Sequence, residues 1–238
     1  PLVDVRMFSI TSLRSGLSVL GAQYAVTAGL FFMVPVYLQM TLGLDALETG
    51  IRIFPLSVSL VLFSIVGTRL SHRMTPRAIV RMGQVLLVVS AVVLLCSATS
   101  PLRSGLFAVG MFLAGSALGL LASQLGNVNM SSVSESQTSE VGGLQGVFQN
   151  LGSSLGTALI GSILIGALST SFASGVAHSD LPAETRATIS AATENGVTIV
   201  PASTVTTIAE DAGLSDEDAS TLAHIYRDSQ LSSLRVSF

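Results

Sequence analysis

The segment MGQVLLVVSAVVLLCSA, residues 82–98, holds no charged side chain and few polar ones. A helix needs about 20 mostly apolar residues to cross the hydrocarbon core of a bilayer. Four further runs are similarly apolar. None of the five contains an acidic residue, and the only cation inside a run is Arg52, one residue from an end. Because a charge at the centre of a bilayer costs at least ~2.5 kcal/mol, the pattern predicts five membrane-spanning helices. They are 17–39, 51–68, 82–98, 106–128 and 144–168.

The composition of the whole chain also favours a membrane protein. Of the 238 residues, 49% are hydrophobic and 11% are charged, whereas about 25% are charged in soluble domains. A soluble helical core is disfavoured because soluble helices carry a polar stripe, and these runs mostly lack one. The composition also excludes a nucleic-acid-binding protein and a disordered chain. We therefore expect an all-α membrane protein.

The distribution of arginine predicts how the helices are oriented. The chain has no Lys, and residues 1–168 hold eight Arg against five acids. Six of these Arg lie before the first run or in the loop 69–81, and loops rich in Arg stay in the cytoplasm. Residues 1–16 are then a cytoplasmic lead-in and 17–168 a five-span bundle. Residues 169–238, with three Arg and nine acids, are expected to form an extracellular or periplasmic tail.

The tail has weaker helical signals than the runs before it. Residues 180–184 predict the start of a helix, and 196–201 form a short β-like run. Ser215 to Asp218 fits a capping pattern for a helix through about Arg227. A segment this short is not expected to build its own core, so we expect it to lie partly ordered at the rim of the bundle. The chain begins at Pro1 and stops in an amphipathic stretch, and we expect it to be a piece of a longer protein.

Polar side chains are concentrated on particular faces of the first, fourth and fifth runs. The third run is apolar all round and is expected at the lipid boundary. At about 100° per residue, nine candidate residues share or flank these faces. Their side chains either bond between helices or line a polar cavity, and both interpretations stay open. The candidates are Gln23, Tyr24, Thr27, Phe31, Tyr37, Ser123, Asn127, Gln145 and Gln149.

Two pairs of glycines lie four residues apart in the fourth and fifth runs. Gly115 pairs with Gly119, and Gly152 pairs with Gly156. Small residues at this spacing let two membrane helices approach closely, so helix packing is favoured for all four. Pro35 is expected to kink the first run.

The residue types required for catalysis or metal binding do not occur in a suitable pattern. Cys96 is the single cysteine, and the three His show no metal-ligand spacing. The sequence has no pairing of nucleophile and base and no phosphate-binding loop. We expect no enzymatic activity, no catalytic residue, no metal and no cofactor.

The loop GTRLSHRMTPR, residues 67–77, resembles the motif G-x-L-x-D-R-x-G-R of the major facilitator superfamily. Gly67, Leu70, Arg73 and Arg77 correspond to motif positions, and His72 stands where the motif has an acid. In the family this loop is cytoplasmic and joins the second and third helices of a six-helix half. The interpretation of Arg73 and Arg77 stays open between a lock on one transport state and cytoplasmic anchors.

Further segments resemble the family of 14-span drug:proton antiporters within that superfamily. They are 1–8, 35–39, 42–43, 48–51, 54–56, 149–152 and 155–158, and the resemblance covers essentially the whole chain. It implies that the five runs are spans nine to thirteen of a carboxy-terminal block, with the last span beyond Phe238. It also implies that the third helix of such a half is peripheral, while the first, second, fourth and fifth line a central cavity.

The resemblance implies a multi-pass protein of the plasma membrane, expected to be a bacterial inner membrane. The implied function is proton-coupled export of drugs or other amphipathic small molecules by alternating access. The implied partners are the lipid bilayer, the substrate, protons and a missing amino-terminal half. That half is expected to carry the coupling carboxylate, because these spans hold none. The alternatives are an exporter of a natural product, lipid precursor or siderophore, and a non-transporting membrane sensor or scaffold.

Overall fold

The computed structural model describes residues 8–97, 103–130, 138–193, 199–211 and 213–237. Those residues form helices and no strand. The long helices are α1 (Thr11–Val36), which continues as a π-helix (Tyr37–Thr41), α2 (Ala46–Leu70), α3 (Pro76–Ser97), α4 (Ser104–Met130) and α5 (Thr138–Ala177). The tail holds α6 (Ala183–Thr193), α7 (Ala202–Asp211) and α8 (Asp216–Ser237).

The five helices α1 to α5 are each long and apolar enough to cross a membrane. The expectation of an all-α membrane protein is therefore confirmed. At 1.5 Å per residue, the 40 residues of α5 make a helix about 60 Å long. That is twice the ~30 Å thickness of a hydrocarbon core, so α5 must extend well beyond the bilayer.

Local side-chain bonds fix where α2 begins. The backbone N–H of Glu48 donates to the Asp45 carboxylate at 2.7 Å, and the N–H of Asp45 donates back to the Glu48 carboxylate at 3.4 Å. This reciprocal pair is a capping box, which satisfies two N–H groups that a helix leaves free at its start. Gly43, two residues earlier, has φ +68°, a conformation that glycine adopts without a steric penalty.

Pro35 lies near the end of α1, and the winding of the chain changes directly after it. Residues Tyr37–Thr41 form a π-helix, in which the N–H of Leu42 donates to the carbonyl of Tyr37 at 3.3 Å. Proline cannot donate the hydrogen bond that continues an α-helix. The π-helix follows directly after Pro35, and the expected kink at Pro35 stays a prediction.

The chain divides into two compact units. The described part of the first unit comprises residues up to Phe31, Gly50–Ser97 and Arg103–Ala158. Its neighbouring helices touch in a regular register: Gly21 and Ala25 of α1 lie against Gly152 and Gly156 of α5. The residue numbers of the contacting residues increase in the same direction on both helices, so α1 and α5 are parallel.

The same comparison gives the directions of the other helices in the first unit. Leu56, Leu60 and Gly67 of α2 lie against Gly115, Gly119 and Ser123 of α4, so α2 and α4 are parallel. Helices α3 and α4 are antiparallel, because Gly83 meets Leu121 while Leu94 meets Gly110. Gly16 of α1 lies against Asn129 of α4, so these two helices are also antiparallel. The directions alternate along the chain, as consecutive spans joined by short loops require.

The exposed faces of α3 show what its uniformly apolar sequence does. Val85 and Val88 are 64% and 65% exposed, while Gly83, Ser90 and Leu94 are buried. The buried side packs on α4. An apolar face without a protein neighbour in this unit fits the predicted lipid contact, although α2 and α5 present similar faces.

The described part of the second unit comprises Phe32–Thr49 and the described residues from Leu159 onward, and it has a core of its own. The end of α5 and the tail helices share one apolar cluster, which corrects the expectation of a tail without a core. In the sequence of the tail, polar residues separate the apolar residues that form this cluster, so their helical spacing was not recognised. Its buried members are Leu168, Phe172, Val176, Leu181, Ala209, Ala219, Leu222 and Tyr226.

The other expectations for the tail had mixed outcomes. Ser215 caps α8 as predicted, because its hydroxyl oxygen accepts the N–H of Asp218 at 3.2 Å, but α8 continues ten residues past Arg227. Helix α7 was not predicted. Of the expected β-like run, residues 196–198 lie outside the described part of the chain, and 199–201 form no strand.

Tyr226 lies at the centre of the tail core. Its ring packs edge-on against Phe172 with centroids 5.4 Å apart, and its hydroxyl accepts the N–H of Val200 at 3.1 Å. Burial raises the pKa of Tyr226 above its ordinary value, and the bonds to Val200 and Gln230 only partly offset this. The folded tail therefore favours the neutral phenol. Because the folded tail resists ionisation of this phenol, the free energy of unfolding of the tail is fully retained at neutral pH. It decreases as the pH rises past the ordinary tyrosine pKa.

Candidate functional site

Helices α1 and α5 are in close contact, and each carries one buried predicted amide. The backbones meet so closely that a β-carbon at Gly152 or Gly156 would collide with main-chain atoms of Gly21 or Ala25. Gln23 and Gln145, on the two helices, are 9% and 8% exposed. The side-chain oxygen of Gln23 is buried with no hydrogen-bond partner among the described residues. An unpaired amide oxygen is costly in an apolar interior, so this position favours a polar neighbour such as water or a ligand.

The other candidates on α1 have different surroundings. The ring of Tyr24 packs against the cluster of Leu20, Leu121 and Leu125. The hydroxyl of Thr27 donates to the carbonyl of Gln23 at 2.8 Å, which satisfies it within its own helix. Tyr24 and Thr27 therefore have structural contacts that account for them without a ligand.

Phe31 and Gln149 are the more accessible candidates. Phe31 is 47% exposed, and Gln149 on α5 is half-buried. Tyr37, by contrast, is fully buried in the second unit, where its π-helix contacts α8. The side chain of Asn127 lies outside the described residues.

The contact between α2 and α4 includes a hydrogen bond that the sequence analysis missed. Gln124 is 1% exposed, and its side-chain N–H donates to the carbonyl of Gly67 at 3.0 Å. Ser123 contacts Gly67 from the same turn of α4. Ser123 thus belongs to a junction between two helices, beside the first residue of the loop motif. Gln124 was missed because only the face of α4 that holds Ser123 was considered.

Gly115 and Gly119 lie along the same junction. A β-carbon on Gly115 would collide with the carbonyl of Leu56 and the hydroxyl of Ser59. One on Gly119 would lie 2.5 Å from the carbonyl oxygen of Leu60. Both glycines therefore permit contact between backbones, which is how small residues act in membrane helices.

Asn129, near the end of α4, is a second amide that the sequence analysis missed. It is fully buried against Gly16, and neither side-chain polar atom has a hydrogen-bond partner among the described residues. Its position close to the predicted end of the run had made it look like a loop residue.

The loop motif lies where α2 ends and α3 begins. His72, Arg73 and Arg77 are exposed, and the N–H of Arg73 donates to the carbonyl of Leu70 at 2.9 Å. Arg77 also lines a cavity of about 580 Å³ together with Arg81 and the start of α1. This end of the first unit concentrates positive charge.

The described residues offer no candidate metal centre. No group of three or more His, Cys, Asp or Glu side chains in that part of the chain is placed to hold an ion. Cys96 is exposed on α3.

Comparison with known proteins gives relatives that are named as exporters or resistance proteins. The multidrug efflux pump SdrM of Staphylococcus aureus is 29% identical over 133 residues, which are 56% of this chain and 29% of the relative. The multidrug resistance protein Stp of Mycobacterium tuberculosis is 25% identical over 169 residues, 71% of this chain and 31% of the relative. The tetracenomycin C resistance and export protein of Streptomyces glaucescens is 28% identical across the whole chain, which covers 43% of it.

The chain therefore spans less than half the length of each of these relatives. No solved structure matches it. The sequence pattern of the Major Facilitator Superfamily matches residues 3–157, which is more than half of the chain and includes four of the five apolar helices and part of α5. Together with that match, the five apolar helices identify the chain as a member of the Major Facilitator Superfamily, a multi-pass protein of the plasma membrane.

Proposed function

We propose that the chain is the carboxy-terminal part of a proton-coupled exporter of drugs or other amphipathic small molecules. The main support for this proposal is the family match, together with three relatives named for efflux, resistance or export. Each relative is more than twice the length of the matched segment, which supports a further amino-terminal block. The relative from Streptomyces is named for one antibiotic, and this favours natural-product export as the second candidate.

The proposed orientation places the loop motif in the cytoplasm. The helix directions bring Arg14, Arg69, Arg73, Arg77 and Arg81 to one end of the first unit, while Arg52 and Arg103 lie at the other. An excess of arginine favours the cytoplasmic side. In a Cys96→Ser background, His72→Cys is therefore expected to resist an impermeant maleimide in intact cells and to react after permeabilisation. Equal labelling before and after permeabilisation would reverse the proposed orientation.

The proposed substrate site lies on the accessible polar face of α1 and α5. Gln149 and Phe31 offer an amide and an aromatic ring there, and the unpaired oxygen of Gln23 lies on α1. Cavities of this kind bind apolar molecules through a few well-placed polar groups. The described residues within the apolar spans hold no acid apart from Glu48 and Glu140 in the first turns of α2 and α5. The proposed coupling carboxylate accordingly belongs to the amino-terminal block.

Transport by the whole protein tests the proposal. Everted membrane vesicles that contain it are expected to accumulate a fluorescent amphipathic dye when a proton gradient is imposed and to release it when a protonophore collapses the gradient. Vesicles without the protein supply the background. Absence of dye movement with an intact gradient, across a panel of amphipathic dyes, would support the sensor or scaffold alternative.

The same assay examines the proposed site at one residue. Gln149→Leu is expected to change the rate several-fold for some dyes and little for others, because one polar contact is worth roughly 1 kcal/mol. The amount of folded protein should stay at the level of the unchanged chain. A parallel loss of folded protein and of transport for every dye would assign Gln149 to helix packing instead.

A further inference from the structure

A cavity of about 800 Å³ opens among the tail helices of the second unit. Pockets that hold small molecules have volumes of about 300–1,000 Å³ and mostly apolar walls. The walls here come from the end of α5, from α6 and α7 and from the start of α8, and the rings of Phe172 and Tyr226 belong to its lining. Leu222 and Ile208 add aliphatic surface. The cavity thus matches an organic molecule with an aromatic or aliphatic body.

The charged groups of this cavity are all of one sign. Glu184 on α6 and Asp218 on α8 are the only ionisable acids or bases, apart from the Tyr226 phenol, among the described residues that line it. Glu184 is exposed and Asp218 is half-buried. Two carboxylates in the wall of one cavity attract a cation by Coulomb forces. The surrounding tail has three Arg against nine acids, so the field around the cavity is also negative.

We propose that this cavity is a binding site for an amphipathic cation, with the apolar body between the α7 and α8 side chains and the positive charge near Glu184 and Asp218. The inference goes beyond the proposed function, because it concerns the tail helices and makes no use of transport. The proposed ligand is positively charged, and an uncharged or anionic molecule of the same shape should bind more weakly.

Fluorescence of a single tryptophan provides the test, because the chain has no Trp. Ile208 lines the cavity and is 58% exposed, so Ile208→Trp places a reporter at its mouth in the full chain. Titration with tetraphenylphosphonium is expected to give a saturable change in that fluorescence. Tetraphenylborate has the same shape and the opposite charge, and it is expected to bind at least several-fold more weakly. Equal binding of the two ions would overturn the proposal.

Two double variants with the same change in charge test whether cation binding depends on the carboxylates of the cavity. Glu184→Gln with Asp218→Asn removes both carboxylates of the cavity, and an asparagine oxygen still accepts the Ser215 hydroxyl that now bonds Asp218 at 3.0 Å. This variant should weaken binding of the cation roughly three- to tenfold. Asp216→Asn with Glu217→Gln makes the same change in charge at exposed positions of α8 outside the cavity lining, and it should leave binding unchanged. Equal weakening by both pairs would assign the effect to the general field of the tail and overturn the site.

A second reporter controls for partitioning of the ion into detergent. Val236→Trp lies on α8, is exposed and does not line the cavity. Its fluorescence should respond weakly and without saturation. A saturable response of equal size at position 236, or none at position 208, would overturn the proposal.

Discussion

Gly119→Leu is expected to abolish folding of the five-helix bundle, whereas Gly105→Leu is expected to leave it intact. A β-carbon at position 119 would lie 2.5 Å from the Leu60 carbonyl oxygen and 2.9 Å from the Ser64 amide nitrogen. Both are backbone atoms, so the clash is relieved only if α2 and α4 move apart. Forcing extra atoms into a packed interior costs about 1–3 kcal/mol and sometimes more, and leucine adds three carbons beyond the first.

The measurement is the yield of monodisperse protein in a mild detergent, followed by its thermal stability. Gly105 is the matched control, because it lies on the same helix and has open space where a β-carbon would be. Gly119→Ala should lower stability by an intermediate amount. Normal yield and melting temperature for Gly119→Leu would show that the close contact between α2 and α4 is not required.

Tyr226→Ala is expected to unfold the tail helices and to leave the first unit folded. Tyr226 is 1% exposed and packs on Phe172 within the tail core. Truncation of a buried aromatic side chain to alanine costs about 3–5 kcal/mol, a large fraction of the stability of a small unit. Hydrogen exchange in α7 and α8 should therefore become fast in this variant.

Tyr226→Phe separates the packing of the ring from the hydrogen bond of its hydroxyl. This variant keeps the contact with Phe172 and leaves the Val200 N–H without its acceptor, which costs roughly 1–3 kcal/mol. Exchange in α8 should remain slow, or nearly so. Unchanged protection in Tyr226→Ala would mean that the tail does not depend on its aromatic pair.

The five long helices could be predicted because their signal is simple: long apolar runs without an acidic residue are distinctive in any sequence. Their ends were harder to predict. Helix α5 was expected to stop at residue 168, where polar residues begin, yet it continues to Ala177. Phe172 and Val176 are spaced by one turn and pack on the tail core, so the continuation depends on residues far ahead in the chain. That long-range packing is not visible in a local window.

The candidate site was only partly predictable, for a geometric reason. Assigning polar residues to one face works for a helix at the edge of a bundle, which has one protein side. Helix α4 is the most buried of the five, and its side chains meet different neighbours on several sides. Gln124 contacts α2 and Asn129 contacts α1, and a single arc of α4 could not have included both. Helix α7 was missed because its short, polar sequence gains stability only from the packing of Val205 and Ala209 in the tail.

The parallel pairing of α1 with α5 and of α2 with α4 has an electrostatic consequence. Every helix carries a macrodipole that is positive at its N-terminus, and dipoles lying side by side in the same direction repel each other. Antiparallel neighbours such as α3 and α4 gain a small attraction from the same effect. The helices of each parallel pair therefore stay in contact despite the repulsion between their dipoles. Dispersion attraction must outweigh this repulsion where the backbones meet, at Gly115, Gly119, Gly152 and Gly156.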